Sequence, residues 1–135
     1  METRETYKGD YKGNKRHGLG VYHYDDGAVY NGEWNNNYRH GRGQYSYPNG
    51  DTYDGEWEKD MIHGYGTYNF SHGAVYEGNW SHNKMHGRGK YIFANGAIYE
   101  GNWKKDLMHG FGEYRFENGA VYRGSWEYDR MNGKG

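Results

Sequence analysis

Histidine returns to one slot of this sequence, at His17, His40, His63, His86 and His109, each time opening the phrase His-Gly-x-Gly. Imidazoles in a column could bind a metal or carry protons. Acids recur too, at Asp10, Glu33 and Glu56, with Asn79, Asn102 and Ser125 in the later copies. Paired carboxylates are the raw material of acid–base catalysis. In "HGRGQY" and "HGRGKY" an arginine stands near a tyrosine, a combination that single-strand nucleic acid binders use. Each chemistry demands a geometry, so the elements that carry these residues must decide among them.

Those elements are copies of one unit. Tyrosine recurs at Tyr7, Tyr30, Tyr53, Tyr76, Tyr99 and Tyr122, a step of 23 residues. Two places on stands glycine, from Gly9 to Gly124. Four places on stand Tyr11 and then Trp34, Trp57, Trp80, Trp103 and Trp126. A fixed period of this length is the mark of a repeat array. Aliphatic residues are scarce, which by itself suggests disorder. Aromatics, however, make up 19% of the chain and hold their phase, and a disordered low-complexity sequence would not keep such a phase. Their area can replace an aliphatic core.

Within a unit the period is two. In "YNGEW" (30–34) Tyr30, Gly32 and Trp34 share one face, with Asn31 and Glu33 on the other. In "GRGQYSY" (41–47) Gly41, Gly43, Tyr45 and Tyr47 share a face. Two strands per unit follow. "DDG", "PNG", "SHG", "ANG" and "ENG" read as hairpin turns, and the longer connection runs from Trp34 to Gly41. In that connection the slot of Asn14, Asn37, Asp60, Asn83, Asp106 and Asp129 is read as left-handed backbone in every copy. Glycine beside a ring lets the ring lie over the neighbouring strand's backbone. The expected fold is all-β: an elongated single-layer antiparallel sheet of tandem 23-residue hairpins. Eleven strands would span roughly 50 Å and twist into an open half-pipe.

That geometry disposes of most of the chemistry. One repeat advances two strands, about 10 Å, whereas zinc needs its ligands within about 2.1 Å of one ion. The histidine column is therefore read as hydrogen-bonding residues of the turn, with pH sensing a lesser alternative, and no metal is expected. His23, His72 and His82 are read as surface residues. The acids point away from the aromatic face and are read as solvated partners of Arg42, Arg88 and Lys90. No catalytic residue and no cofactor is expected.

The chain has 135 residues, 17 basic and 18 acidic, for a net charge of -1, and no cysteine. No basic excess points to nucleic acid. Disulfides and thiolate metal sites are excluded. No signal-peptide pattern opens the chain, and no apolar run approaches the length of a membrane helix. A cytoplasmic setting is expected. Residues 1–6 are a short polar lead; residues 7–135 hold five full units and a partial sixth. The sixth breaks off at "MNGKG", so the partner strand of Tyr122–Trp126 is expected to be missing or very short. The chain reads as a piece of a longer protein.

The phrase Tyr-x-Gly-x-Trp, then His-Gly-x-Gly-x-Tyr, then Asn/Asp-Gly resembles the MORN repeat (membrane occupation and recognition nexus), over residues 7–135. The family usually places glycine where this chain has Asn37 and Asp60. The resemblance implies a non-catalytic hairpin array. Such arrays hold partner proteins through the aromatic groove or the array's ends, often in cytoskeletal or axonemal assemblies such as those of cilia.

The function expected is a protein-interaction scaffold. Its groove would be lined by Trp57, Trp80, Trp103, Tyr68, Tyr91, Tyr114, Met85 and Met108. The slot before the histidine turns apolar along the chain, from Arg16 and Arg39 to Ile62, Met85, Met108 and Met131. Methionine adapts to binding surfaces, although padding of the turn explains it equally well. The favoured ligand is an apolar helix or peptide. Neighbouring scaffold subunits are the other expected partners, and self-association through the sheet ends is expected from their unpaired edges. Attachment to a phospholipid membrane is the alternative, disfavoured by the near-zero charge. The setting expected is cytoskeleton-associated or membrane-proximal.

Overall fold

The computed structural model describes residues 5–131. Its strands are β1 (Thr6–Lys12), β2 (Lys15–His23), β3 (Val29–Asn35), β4 (Tyr38–Ser46), β5 (Thr52–Glu58), β6 (Met61–Asn69), β7 (Val75–Ser81), β8 (Lys84–Ile92), β9 (Ile98–Lys104), β10 (Leu107–Arg115), β11 (Val121–Glu127) and β12 (Arg130–Met131). They form one antiparallel sheet in chain order, β1 to β12. The sheet is a single layer curled into an open half-pipe, and the described residues contain no helix. The expected very short partner of β11 is β12, pairing Met131 with Trp126 and Arg130 with Glu127. The sixth-copy counterpart of the histidine column, Asn132, lies outside the described residues.

The alternation read from the sequence sets the faces. Tyr30, Tyr53, Tyr76 and Tyr99 are fully buried on the inner face, and the tryptophans from Trp34 to Trp126 are buried beside them. The tyrosines lie over glycine. A Cβ placed on Gly43, Gly66, Gly89 or Gly112 would meet the ring of Tyr30, Tyr53, Tyr76 or Tyr99. Gly43 pairs across the ladder with both Gly32 and Gly55. The strand glycines, which pack nothing themselves, are thus roofed by rings.

The connections differ from expectation in which one is tight. The stretch from Trp34 to Gly41 is a two-residue turn, because β4 already starts at Tyr38. Asn36 and Asn37 have φ of 49° and 73°, the two positive values of a type I′ turn. Asp60, Asn83, Asp106 and Asp129 are left-handed as expected. Asn14 is not: in the first copy the positive φ belongs to Gly13, one place earlier. The residue before the Asn/Asp slot is also left-handed in the other copies, and Lys59, His82, Lys105 and Tyr128 take that strain.

The Asn-Gly type stretches, in turn, are five-residue loops. In Tyr24–Ala28 the Tyr24 amide donates to Ala28 O at 2.8 Å and Gly27 N to Tyr24 O at 3.1 Å. Asp26, Asn49, Asn95 and Asn118 do not supply left-handed backbone there. Their side-chain oxygens accept the amide two residues on, for example Asp26 Oδ1 from Ala28 at 2.9 Å, the Asx turn.

The sequence also missed a bulge. Trp34 pairs with Arg39 and Gly32 with Gly43. Glu33 therefore faces His40, Gly41 and Arg42 together, and its carbonyl loses a ladder partner. Tyr30 Oη donates to that carbonyl at 2.7 Å. Tyr53, Tyr76 and Tyr99 do the same for Glu56, Asn79 and Asn102. The repeated tyrosine is both core and hydrogen-bond repair, as a buried polar backbone group requires.

Candidate functional site

The inner face carries two layers of rings. The deep layer interlocks the repeats. Tyr53 stands edge-on to Trp57 of its own unit at 5.3 Å and to Trp80 of the next at 5.7 Å, the favoured aromatic geometry. Trp57 Nε1 donates to Gly43 O at 3.1 Å. These rings are closed off from solvent. Trp57, Trp80 and Trp103 are 5–7% exposed, and Met85 and Met108 each 9%. Of the expected groove residues, these are wall and foundation.

The upper layer is what a ligand would meet. Tyr68, Tyr91 and Tyr114 are half-buried and pack on the core. They belong to a ladder that the sequence reading named only in part. It runs Tyr22, Tyr24, Tyr45, Tyr47, Tyr68, Phe70, Tyr91, Phe93, Tyr114, Phe116, with successive centroids 4.4–5.7 Å apart. The second ring of each pair sits at the start of a five-residue loop. Its signal in the sequence was the aromatic two places after each strand tyrosine. Midway along, Arg39, Tyr45, Tyr47, Trp57, Asp60, Ile62, Tyr68, Trp80 and Asn83 line a depression of ≈ 350 Å³.

Three departures from the repeat tune this face. The first two are Arg16 and Arg39, which lay their guanidinium groups over rings. Arg16 is 4.8 Å from the centroid of Tyr22 and 4.7 Å from that of Trp34. Arg39 is 5.0 Å from Tyr45 and 4.8 Å from Trp57. The third is Asp51, which occupies a slot held by alanine at Ala28, Ala74 and Ala97. It is buried and accepts from Tyr68 Oη at 2.7 Å, Ser71 N at 2.7 Å and Asn49 Nδ2 at 3.2 Å. Burial pushes its carboxyl up, but these bonds hold it below its ordinary value. The Tyr68 hydroxyl is correspondingly raised, by burial and by Asp51.

The slot before the histidine is held at both backbone groups by the following turn. Met85 N donates to Asp106 Oδ1 at 2.7 Å, and Asp106 N donates to Met85 O at 2.9 Å. The same pair of bonds joins Asn37 to Arg16, Asp60 to Arg39, Asn83 to Ile62 and Asp129 to Met108. Each turn thus staples its repeat to the one before.

The histidine column lies in the strands and not in the turn. Two of its members reach the following turn: His40 Nδ1 accepts from Lys59 N at 3.5 Å and His86 Nδ1 from Lys105 N at 3.4 Å. His63 Nε2, by contrast, lies 3.4 Å from Glu58 Oε2 on the preceding strand. His82 is a turn residue, and His63 lies 5.3 Å from it, ring to ring. Among the described residues no three His, Cys, Asp or Glu side chains converge as metal ligands do. The outer-face acids are also placed differently from expectation. Glu33 Oε2 accepts the Arg42 backbone amide at 2.7 Å, and Asp10 and Glu56 do the same for Leu19 and Tyr65. They satisfy the bulge and do not pair with the Arg42, Arg88 and Lys90 side chains. Asn79 and Asn102 donate instead, to Arg88 O and Phe111 O at 3.1 Å.

A family model described as the MORN repeat matches residues 7–29, 30–52, 53–75, 76–98, 99–121 and 122–135. Among solved structures, the SAS-4 (dCPAP) TCP domain of Drosophila melanogaster, in complex with a proline-rich motif of Ana2 (dSTIL), is similar at 12% identity. That likeness covers 81% of this chain and 73% of that one, with a TM-score of 0.43. No curated protein sequence matches significantly.

Proposed function

Because the chain belongs to the MORN-repeat family, we propose that it is a non-catalytic scaffold that holds an apolar helix or peptide of another protein along its aromatic groove. The observation that carries this is the unbroken ladder from Tyr22 to Phe116, half-buried as far as Tyr114, exposed at Phe116, and without a second layer over it. An apolar strip of this length is the signature of a binding face. The repeat also suits a periodic ligand. Two strands advance about 9.6 Å, while seven helical residues rise about 10.5 Å and three polyproline residues about 9.3 Å. Either segment keeps its apolar positions in step with the rings over two or three repeats. A cytoplasmic setting, beside cytoskeletal, axonemal or membrane-proximal assemblies, belongs to the same reading.

The test is a displayed peptide library selected on the array. Binders should lose about thirtyfold or more in affinity, roughly 2 kcal/mol, on Tyr91→Ala or Phe93→Ala. They should be indifferent to Glu77→Ala on the outer face. Glu33 is unsuitable as a control because its carboxylate holds the bulge. Folding of each variant is checked by circular dichroism. Binders weakened only by outer-face changes would sink the groove reading. Salt-sensitive pelleting with anionic vesicles, without any peptide binding, would favour membrane attachment instead.

A further inference from the structure

The groove has an electrical direction. Its turn-side rim is the slot of Arg16, Arg39, Ile62, Met85 and Met108, each clamped by the next turn's Asn or Asp. Arg39 is clamped by Asp60, and its Nε lies 3.3 Å from the Asp60 carboxylate. That charge is compensated within the rim. The Asp106 carboxylate above Met85 lies 3.8 Å from Lys84 Nζ. Ile62 and Asn83 are neutral.

The two ends are different. Arg16 is clamped by the neutral Asn37. Its Nη2 donates to the Asn37 carbonyl at 3.0 Å, just as Arg39 Nη2 does to the Asp60 carbonyl. No carboxylate pairs with it among the described residues. At the far end Met108 is clamped by Asp129, which has no described cation partner. Among the described residues the rim thus runs from a cation with no ion-pair partner to an anion with none, roughly 38 Å apart across eight strands. The acid at the Arg16 end, Glu5, is engaged by Tyr22 Oη at 2.7 Å and Asp25 N at 3.3 Å. Arg16 is moreover held over the rings of Tyr22 and Trp34, inside the aromatic face and partly out of water. A cation so placed discriminates between ligands better than one in bulk solvent.

Resting on the scaffold reading above, we propose that the groove accepts its apolar segment in one direction only, with a carboxylate-bearing end of that segment over Arg16. Arginine's planar fork suits a carboxylate in two-point geometry. The apolar stretch then follows the ladder from Tyr45 toward Phe116. The partner class is a segment of another protein whose apolar face ends in Asp, Glu or a free C-terminus. Arg16 acts as the residue that sets polarity, and Asn37 is what leaves it available.

The library already described supplies the test. Binders that Phe93→Ala weakens are sequenced, and the tightest is titrated against the array, Arg16→Gln and Asn37→Asp. The second variant keeps the cation and its rings but gives it an internal carboxylate, as Asp60 gives Arg39. The expected result is acidic residues gathered at one end of the selected peptides. Both variants should bind about tenfold more weakly, and a peptide with that acid replaced by its amide should bind all three proteins alike. A nitroxide on the end away from the acid should broaden the Met108 methyl resonance, and one on the acidic end should not. Groove binders with no acidic bias, or full binding to Asn37→Asp, would overturn the directional proposal alone. A library with no binder sensitive to Phe93→Ala would overturn the groove reading and this inference with it.

Discussion

At the residue scale the molecule rests on tyrosine hydroxyls kept neutral. Tyr30, Tyr53, Tyr76 and Tyr99 are fully buried, with each hydroxyl spent on a bulge carbonyl. Burial, above all, pushes Tyr47 and Tyr99 up to about 12, and it raises Tyr30, Tyr53 and Tyr76 as well. In the unfolded chain these groups titrate near 10. A folded value above the unfolded one means the unfolded state loses its proton first. The stabilisation is then complete below pH 10 and drains away as pH rises through the folded values. Urea midpoints should hold steady from pH 7 to about 9.5 and fall steeply toward pH 12. Absorbance at 295 nm should show a class of buried tyrosines that titrates only with unfolding. A single titration near pH 10 in a chain that stays folded would contradict this account of the core.

At the element scale the unit was legible because its period is two and its rings share a face. Tyr30, Gly32 and Trp34 point inward as their spacing says they must. The bulge opposite Glu33 was not legible, since a bulge is a relation between strands and leaves no gap in either one. The placement of the histidines went with it: His40 was read into a turn because the two residues the bulge adds to β4 look like loop. Phe70 and Phe93 are absent from the expected groove although their slot, that of Tyr47, is read onto the inner face. Each opens a five-residue loop, and alternation does not say that a loop residue stacks on the strand ring two places before it. The Asn/Asp slot was read as a backbone device alone, yet its side chain also joins repeats. Asp106 needs left-handed backbone and an acceptor for Met85 N–H at once. Glycine meets the first need and alanine neither, so the substitutions separate the two. Asp106→Asn should be near neutral, as Asn37 and Asn83 already show in the same place. Asp106→Gly should cost about 1 kcal/mol for the lost bond. Asp106→Ala should cost about 2–3 kcal/mol, because the left-handed strain adds to it. Denaturant melts of the three variants check the order. Equal stability for Gly and Ala would mean that the left-handed strain is absent.

At the scale of the whole molecule every described strand hydrogen-bonds only to its neighbours in the chain, from β1 to β12. Stability in such an array is close to a sum of repeat and interface contributions. The Tyr53–Trp80 kind of contact, which crosses from one unit to the next, is the interface contribution made visible. The same lesion should therefore have different reach at different places. A Cβ on Gly66 would meet the Tyr53 ring, which is 1% exposed and sealed by a repeat on either side. A Cβ on Gly20 would meet Tyr7, which lies on the edge strand β1 and can swing toward solvent. Gly66→Ala should cost about 3 kcal/mol or more and lower the cooperativity of unfolding, since it weakens both interfaces of a central unit. Gly20→Ala should cost less and act locally. Hydrogen exchange resolves the two outcomes. In Gly20→Ala the amides of β1 and β2 should lose protection while β5 to β10 keep theirs. In Gly66→Ala the loss should spread outward from β5 and β6 in both directions. Uniform loss of protection in both variants would show a globally cooperative sheet, and the picture of stacked, separable hairpins would have to be abandoned.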